Sequence, residues 1–314
     1  MSEPKLISYL ITTRNKLPFL KQALSTFIAR KIPDEEILIA DGASTDGTKE
    51  YLAQLKSAGK IDFFISEPDY GIAHANNKLI LKAGGTFFKF ITDDDVFDYS
   101  VIRKCATFLS EHPDIDCVNT EGGSLNDPSR TIGEEDPLQI VRAIDYAEQY
   151  KKWQKDHIPF TFCDLGLLFR RSSLPVMGMY DPASGLLDFE YSLRLTRGRA
   201  NIAWYSGYSY VNISNPQSFS LVNRKKIKRQ TDKYSEFYLN KKPDLLIVEK
   251  FKVLKNKISD RLRHGLFGSR PVNTTKLPGD FQSGWPALAE ISMKWLTIKN
   301  DHDKPGFTWN TKAL

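Results

Sequence analysis

Three consecutive carboxylates, Asp93-Asp94-Asp95, follow the apolar run TFFKFI at residues 86–91. Adjacent like charges repel, and folding gains nothing from three of them at a strand end. A divalent cation would offset that repulsion. Hard oxygen ligands suit Mg²⁺ or Mn²⁺, and Mg²⁺ is typically held by one or two carboxylates together with substrate phosphates. A solvated acidic loop that also caps a helix starting near Tyr99 accounts for the same triplet. Taken alone, the triplet leaves both readings open.

A second pattern is DGASTDGT, from Asp41 to Thr48. Gly42 and Gly47 permit a tight turn, and Ser44, Thr45 or Asp46 can cap the helix that follows. Asp41 is placed to accept a hydrogen bond from a ligand's base or sugar. The glycine spacing approaches that of a phosphate-binding P-loop. However, Thr48-Lys49 stands in reversed order and an aspartate precedes the loop, so the P-loop is rejected. The chain has no GxGxxG, so the dinucleotide fingerprint is absent too.

The elements that must position these residues alternate in type. Strands are expected at 6–12, 36–40, 62–66, 86–91 and 116–119. Helices are expected at 18–29, 45–58, 72–82 and 99–111. Strands and helices of these lengths in alternation imply βαβ units and an α/β fold with a doubly wound, mostly parallel sheet. In such sheets ligands bind at the carboxyl ends of the strands. The residues following the successive strands are Thr12-Thr13-Arg14-Asn15, then Asp41-Gly42, then Glu67-Pro68-Asp69, then the acidic triplet. Beyond residue 120 come turn-formers, a helix ending near Trp153, a strand-like run at 160–169, a helix at 185–196 and an aromatic strand at 203–213.

Taken together and in order, residues 11–15, 41–48, 67–77 (EPDYGIAHANN) and 92–97 (TDDDVF) resemble the successive motifs of family 2 glycosyltransferases of the GT-A fold. The resemblance covers residues 5–215, and the combination is specific where each motif alone is weak. It implies transfer of a sugar from a nucleotide-sugar donor, a UDP-sugar first among them, to a glycan or lipid-linked acceptor. Inversion at the anomeric carbon is implied, with Mn²⁺ or Mg²⁺ on the donor diphosphate. By the same resemblance, Asp41 contacts the donor base and the backbone of Thr12 lines the base pocket. Asp93 faces the ribose and Asp94 the metal, and a strict DxD reading adds Asp95 as a ligand. The chain departs from the family pattern at His74, where aspartate is frequent, and at Asn76, where arginine is frequent.

Inverting transfer needs a base for the acceptor hydroxyl. The resemblance assigns it to Asp188, in LDFEYSLRL at 187–195, where Leu187 replaces the usual glutamate and GMYD at 178–181 resembles an upstream turn. Glu190 is read as an i,i+4 partner of Arg194. QYKKW at 149–153 echoes a polysaccharide-synthase motif, but it precedes the base and has Lys for Arg. A helix surface with an anchoring Trp153 fits better. Two rivals to the transferase remain. A sugar nucleotidyltransferase would carry a glycine-rich basic loop after the first strand, which TTRN is not. The other is an inactive nucleotide- or glycan-binding relative.

The chain has 314 residues, 41% hydrophobic and 26% charged, and a net charge of +6. That composition suits a large folded core. Its charge is unevenly distributed. Residues 221–270 carry fifteen Lys or Arg against five acids, a local +10, which leaves −4 elsewhere. Leu245, Ile247, Val248, Phe251, Leu254, Ile258 and Leu262 recur among the lysines at mostly helical spacing. This basic helical extension, 221–314, follows a catalytic domain at 1–220, itself divided into a nucleotide half, 1–120, and an acceptor half, 121–220. The extension fits either contact with an anionic membrane surface or packing on the catalytic domain. No recognition motif points to nucleic acid. Three cysteines without a CxxC, no apolar run of membrane-spanning length and a polar N-terminus lead to the expectation of a cytoplasmic protein, and the basic extension leaves room for a peripheral place on the inner membrane face.

Overall fold

The computed structural model describes residues 5–125, 140–142, 145–198, 200–213, 224–240 and 281–310. Four strands at the sequence start pair in parallel: β1 (Ile7–Thr13), β2 (Glu35–Asp41), β3 (Phe63–Ser66) and β4 (Phe87–Ile91). Their crossovers are α1 (Leu17–Ile28), α2 (Thr48–Ser57) and α3 (Ile72–Lys82). The register brings the strand ends into line. Ile11 lies beside Ile91, Thr13 beside Asp41, and Asp41 beside Ser66. The loops that follow therefore form one polar rim, as the alternation of strands and helices predicts.

Period-2 alternation divides the core between the two faces of the sheet. Ile7, Tyr9 and Ile11 of β1 pack with Leu20, Leu24 and Phe27 of α1 and with α4 (Tyr99–Glu111). Leu10 and Leu38 turn to the other face, toward Leu79 of α3, Tyr150 and Trp153 of α5 (Tyr146–Asp156), and Tyr191 and Leu195 of α7 (Leu187–Arg197). Two helix starts are set locally. Pro18 occupies the first turn of α1, where its missing N–H costs nothing. Asp98 caps α4 by accepting from the amides of Ser100 and Val101. The helix expected from residue 45 begins at Thr48, because Gly47 sits at φ 90°, a left-handed conformation that helical residues do not adopt.

On the far side of β4 the sheet becomes mixed. Starting from β10 (Phe307–Thr308), its order is β10-β9-β6-β8-β4-β1-β2-β3, with β8 (Leu168–Arg170) antiparallel to both β4 and β6 (Cys117–Leu125), and β6 parallel to β9 (Ile202–Ile213). Two short strands, β5 (Val96–Phe97) and β7 (Ile140–Arg142), add to β9 and β6. The strand-like run expected at 160–169 is shorter than its apolar pattern implies. Asp164–Gly166 forms a 3₁₀ turn, and only the residues of β8 join the sheet. A short helix, α6 (Leu174–Met177), follows.

Within the basic extension, the helix Arg224–Leu239 packs against α7. The Phe281–Asp303 helix crosses β9 and α1, burying Trp285, Leu288 and Leu296, and β10 (Phe307–Thr308) then pairs antiparallel with β9. The apolar series from Leu245 to Leu262 lies outside the described residues. No helix among the described residues is long and apolar enough to cross a membrane.

Candidate active site

The acidic triplet is buried. Asp93, Asp94 and Asp95 are 4%, 7% and 5% exposed, which removes the solvated-loop reading, and the cap of α4 comes from Asp98 instead. Burial of three carboxylates is costly unless each has a partner. Asp93 accepts from the Thr13 hydroxyl (2.7 Å) and from the Lys16 ammonium (3.0 Å). Lys16 Nζ also reaches Asp94 Oδ2 at 2.7 Å. Asp95 turns elsewhere. One oxygen accepts from the Ile213 amide (2.8 Å) and Asn212 Nδ2 (3.0 Å), and the other from the Thr92 hydroxyl (2.6 Å). Both oxygens of Asp95, the ligand added by a strict DxD reading, are thus engaged, Oδ1 in fastening the end of β9 to the rim and Oδ2 within the rim itself. Asp93 and Asp94 face a cation.

The electrostatics follow from this packing. Burial raises the pKa of Asp93 against the pull of Lys16. Burial and the neighbouring Asp94 push Asp95 up to about 7. For Lys16, burial works against the charged form, but Asp93 and Asp94 outweigh it and hold the ammonium well above its usual range. The Phe281–Asp303 helix also reaches the motif, as Trp285 Nε1 donates to the Asp94 carbonyl at 2.7 Å.

Asp41 is 1% exposed at the tip of β2. It accepts from the Ser66 hydroxyl (2.6 Å) and from the amide and hydroxyl of Ser44. The loops after β1 and β2 are knitted together. The Asn15 amide donates to Ser44 Oγ (2.7 Å), the Thr45 amide to Asn15 Oδ1 (2.9 Å), and the Leu17 amide to Asp46 Oδ2 (2.9 Å). A Cβ at Gly42 would lie 2.6 Å from Asp69 Oδ2, so a larger residue there would have to displace that carboxylate. Thr12, half-buried in β1, pairs with Ala40 next to this loop. The ring of His74 lies 5.1 Å from that of exposed Tyr70, and its Nδ1 accepts from the Tyr70 amide.

Asp188 lies in the first turn of α7, half-buried, and accepts from its neighbour's amide at Phe189 (2.8 Å). Burial, and then the charge of Asp164, push its pKa up to about 7, where a carboxylate can act as a base near neutral pH. Asp164 was not singled out by the sequence. Burial raises its pKa as well, and the Tyr180 hydroxyl donates to its Oδ2 at 3.1 Å. Asn77 clamps Tyr180 from α3, with Nδ2 donating to the Tyr180 carbonyl (2.8 Å) and Oδ1 accepting its amide (3.0 Å). Lys89, wholly buried in β4, donates to the carbonyls of Leu165 and Leu167 and so holds the turn that carries Asp164. Burial lowers its pKa to about 8, with Asp164 opposing. A buried lysine in an apolar strand was the one available sequence signal for this support.

Glu190 pairs with Arg194 through two bonds of 3.0 and 3.1 Å, as its spacing predicts. Trp153 anchors α5 by donating to the Thr196 carbonyl at 2.7 Å. A cavity of ≈ 400 Å³ lies behind the triplet, between α1 and the Phe281–Asp303 helix. Its lining is mainly apolar, including Leu20, Phe97, Tyr99 and Met293.

Among the described residues no three His, Cys, Asp or Glu side chains form a ready-made metal cage. Asp93 and Asp94 nevertheless already hold one cation, the Lys16 ammonium, and a metal that brings substrate phosphates as ligands needs few carboxylates. The donor set therefore fits Mg²⁺ or Mn²⁺ bound together with a diphosphate.

Comparison with known proteins bears on the family and the fold. Residues 8–174 match the family model described as Glycosyl transferase family 2. A protein of Bacillus subtilis (strain 168) named as a teichuronic acid biosynthesis glycosyltransferase, TuaG, is 27% identical over 107 residues. That match covers 34% of this chain and 42% of TuaG, so the chain spans less than half of that relative. Among solved structures, S. aureus TarS 1-349 in complex with UDP-GlcNAc aligns with a TM-score of 0.53 at 14% identity, covering 84% of this chain and 76% of TarS 1-349. The mannosyltransferase PcManGT from Pyrobaculum calidifontis, in complex with GDP-Man and Mn²⁺, aligns with a TM-score of 0.56 at 15% identity, covering 96% and 89%. At these identities the two structures establish the fold.

Proposed function

The chain belongs to glycosyl transferase family 2, and from that membership we propose that it transfers a sugar from a nucleotide-sugar donor to an acceptor hydroxyl with inversion at the anomeric carbon. The observation that carries the reading is the pairing of two kinds of carboxylate. Asp93 and Asp94 are buried around a cation at the tip of β4, and Asp188 is raised to about 7 at the start of α7.

Asp41, with Ser44 and Ser66 ordering its oxygens, and the backbone of Thr12 receive the donor base. Asp93, fixed by the Thr13 hydroxyl, receives the ribose, and Asp94 holds the Mn²⁺ or Mg²⁺. When bound, such a metal neutralises charge developing on the leaving diphosphate. Asp188 takes the proton of the acceptor hydroxyl as the hydroxyl oxygen attacks the anomeric carbon. Its elevated pKa suits this role, because a base with a value near the working pH is both ionised and strong enough to accept the proton. Burial, and then Asp164, keep that value high, and Asn77 and Lys89 hold Asp164 and Tyr180 in place. A glycan or lipid-linked acceptor and a UDP-sugar donor are the first candidates, and the neighbours' UDP-GlcNAc and GDP-Man set the donor panel. The basic stretch 221–270 would bring the enzyme to an anionic surface.

The test is thermal unfolding of the whole chain against a panel of UDP-, GDP- and dTDP-sugars, with and without Mn²⁺. A bound donor stabilises by mass action, about 2.7 kcal/mol at a hundredfold excess over its Kd. One nucleotide class is expected to raise Tm, and to do so more strongly with Mn²⁺. No shift with any donor would overturn the proposal.

A further inference from the structure

Lys16 is a residue the donor-binding scheme leaves without a task. Its ammonium bridges Asp93 Oδ1 at 3.0 Å and Asp94 Oδ2 at 2.7 Å, the two carboxylates that the proposed reading gives to donor and metal. The carboxylate side chains are 5% and 10% exposed, and that of Lys16 is 22% exposed, so the lysine reaches into a closed pair from a more open position. Its backbone is held on both sides. The Asn15 amide is bonded to Ser44 and the Leu17 amide to Asp46, and Lys16 itself stands at the N-cap of α1 in a non-helical conformation with no side-chain cap bond. The root of the side chain is therefore fixed, and its long flexible stem is what can move.

We infer that Lys16 is a built-in counter-cation that keeps divalent metal out of the Asp93–Asp94 pair until a donor diphosphate arrives. The inference rests on the proposed reading that the metal binds at this pair. With Lys16 in place an ammonium already offsets part of the charge that the two carboxylates present. A divalent ion must then approach an ammonium at contact range or evict it into water. A diphosphate changes the balance, because its negative charges attract both the metal and the displaced ammonium. Metal and donor binding thus become coupled, and the coupling is reciprocal: nucleotide tightens metal as much as metal tightens nucleotide. An unassisted acidic pair would bind metal with or without donor.

The experiment titrates Mn²⁺ into the whole chain without nucleotide, following free Mn²⁺ by electron paramagnetic resonance, and repeats the titration with UDP and with GDP. Wild type is expected to bind Mn²⁺ weakly alone and much more tightly with one nucleotide. Lys16→Met is expected to bind Mn²⁺ alone roughly 5–150-fold more tightly than wild type, the ordinary range of such couplings. The nucleotide enhancement should shrink by a similar factor. Lys16→Arg, which keeps the charge, should stay close to wild type. Lys16→Gln is read beside Lys16→Met, and circular dichroism verifies that each variant is folded. Mn²⁺ affinity of the neutral variants equal to or weaker than wild type overturns the inference. Asp94→Asn in the Lys16→Met background separates the two levels. If it leaves Mn²⁺ binding intact, the metal is not at this pair and the underlying reading fails. If it abolishes binding while Lys16→Met alone gave no gain, only the role of Lys16 fails.

Discussion

Replacing Asp188 by asparagine should make the protein more stable while nearly abolishing its turnover. The pKa of Asp188 is raised from 3.8 to about 7 by burial and by Asp164. A shift of that size corresponds to roughly 4 kcal/mol between the two protonation states. Asp188 is half-buried, so partial solvation brings the expected effect to about 2–4 kcal/mol. The sign follows from linkage. The folded pKa lies above the unfolded one, so the neutral carboxyl's contribution is complete below pH 3.8. It declines as pH rises toward about 7 and is gone above that. Asparagine has the same shape and cannot ionise. Urea unfolding at pH 4, 6 and 8 should therefore show Asp188→Asn matching wild type at pH 4 and exceeding it by about 2–4 kcal/mol at pH 8. Turnover with the identified donor should fall by about 10²–10⁴-fold, the usual worth of a general base. A stability difference that stays flat from pH 4 to 8 would refute the perturbed carboxylate. Near-normal turnover would move the base elsewhere.

Asp164→Asn removes the charge that acts on Asp188 after burial itself. The acidic limb of the kcat/KM profile should drop by about one pH unit, and an unmoved limb would show that the two carboxylates do not interact. Asn77→Ala deletes both bonds to the Tyr180 backbone and leaves buried groups unpaired, at a cost of about 2–3 kcal/mol in urea unfolding. No measurable loss would mean that this clamp is idle. Asp95→Ala frees the Ile213 amide and Asn212, so it should lower stability by about 2–3 kcal/mol while leaving Mn²⁺ affinity measured with nucleotide little changed. A collapse of Mn²⁺ affinity would make Asp95 a ligand after all.

Much of the fold is written locally. Strand and helix periods alternate through the first half, and α3 and α4 lie at the residues their patterns predict. The apolar run at 160–169 misleads for a physical reason. Hydrophobicity marks burial, and a 3₁₀ turn braced by Lys89 is as buried as a strand. The rim carboxylates Asp41, Asp93 and Asp94 are legible because a strand tip is a local feature and their motifs are short and ordered along the chain.

What the sequence determined by itself was the family and the placement of its acidic groups at strand ends, with an aspartate at a later helix start. Only the tertiary structure decided how those groups are employed. It engaged one oxygen of Asp95 in holding β9 and the other with Thr92, set Lys16 against Asp93 and Asp94 across 77 and 78 residues, and placed Asp164 near enough to Asp188 to raise its pKa further than burial alone does. It also brought Trp285 to the Asp94 carbonyl from 191 residues away. Charge partnerships of this kind depend on distances of a few ångströms between remote segments. Local spacing along a chain carries no information about such distances until the sheet has aligned the loops.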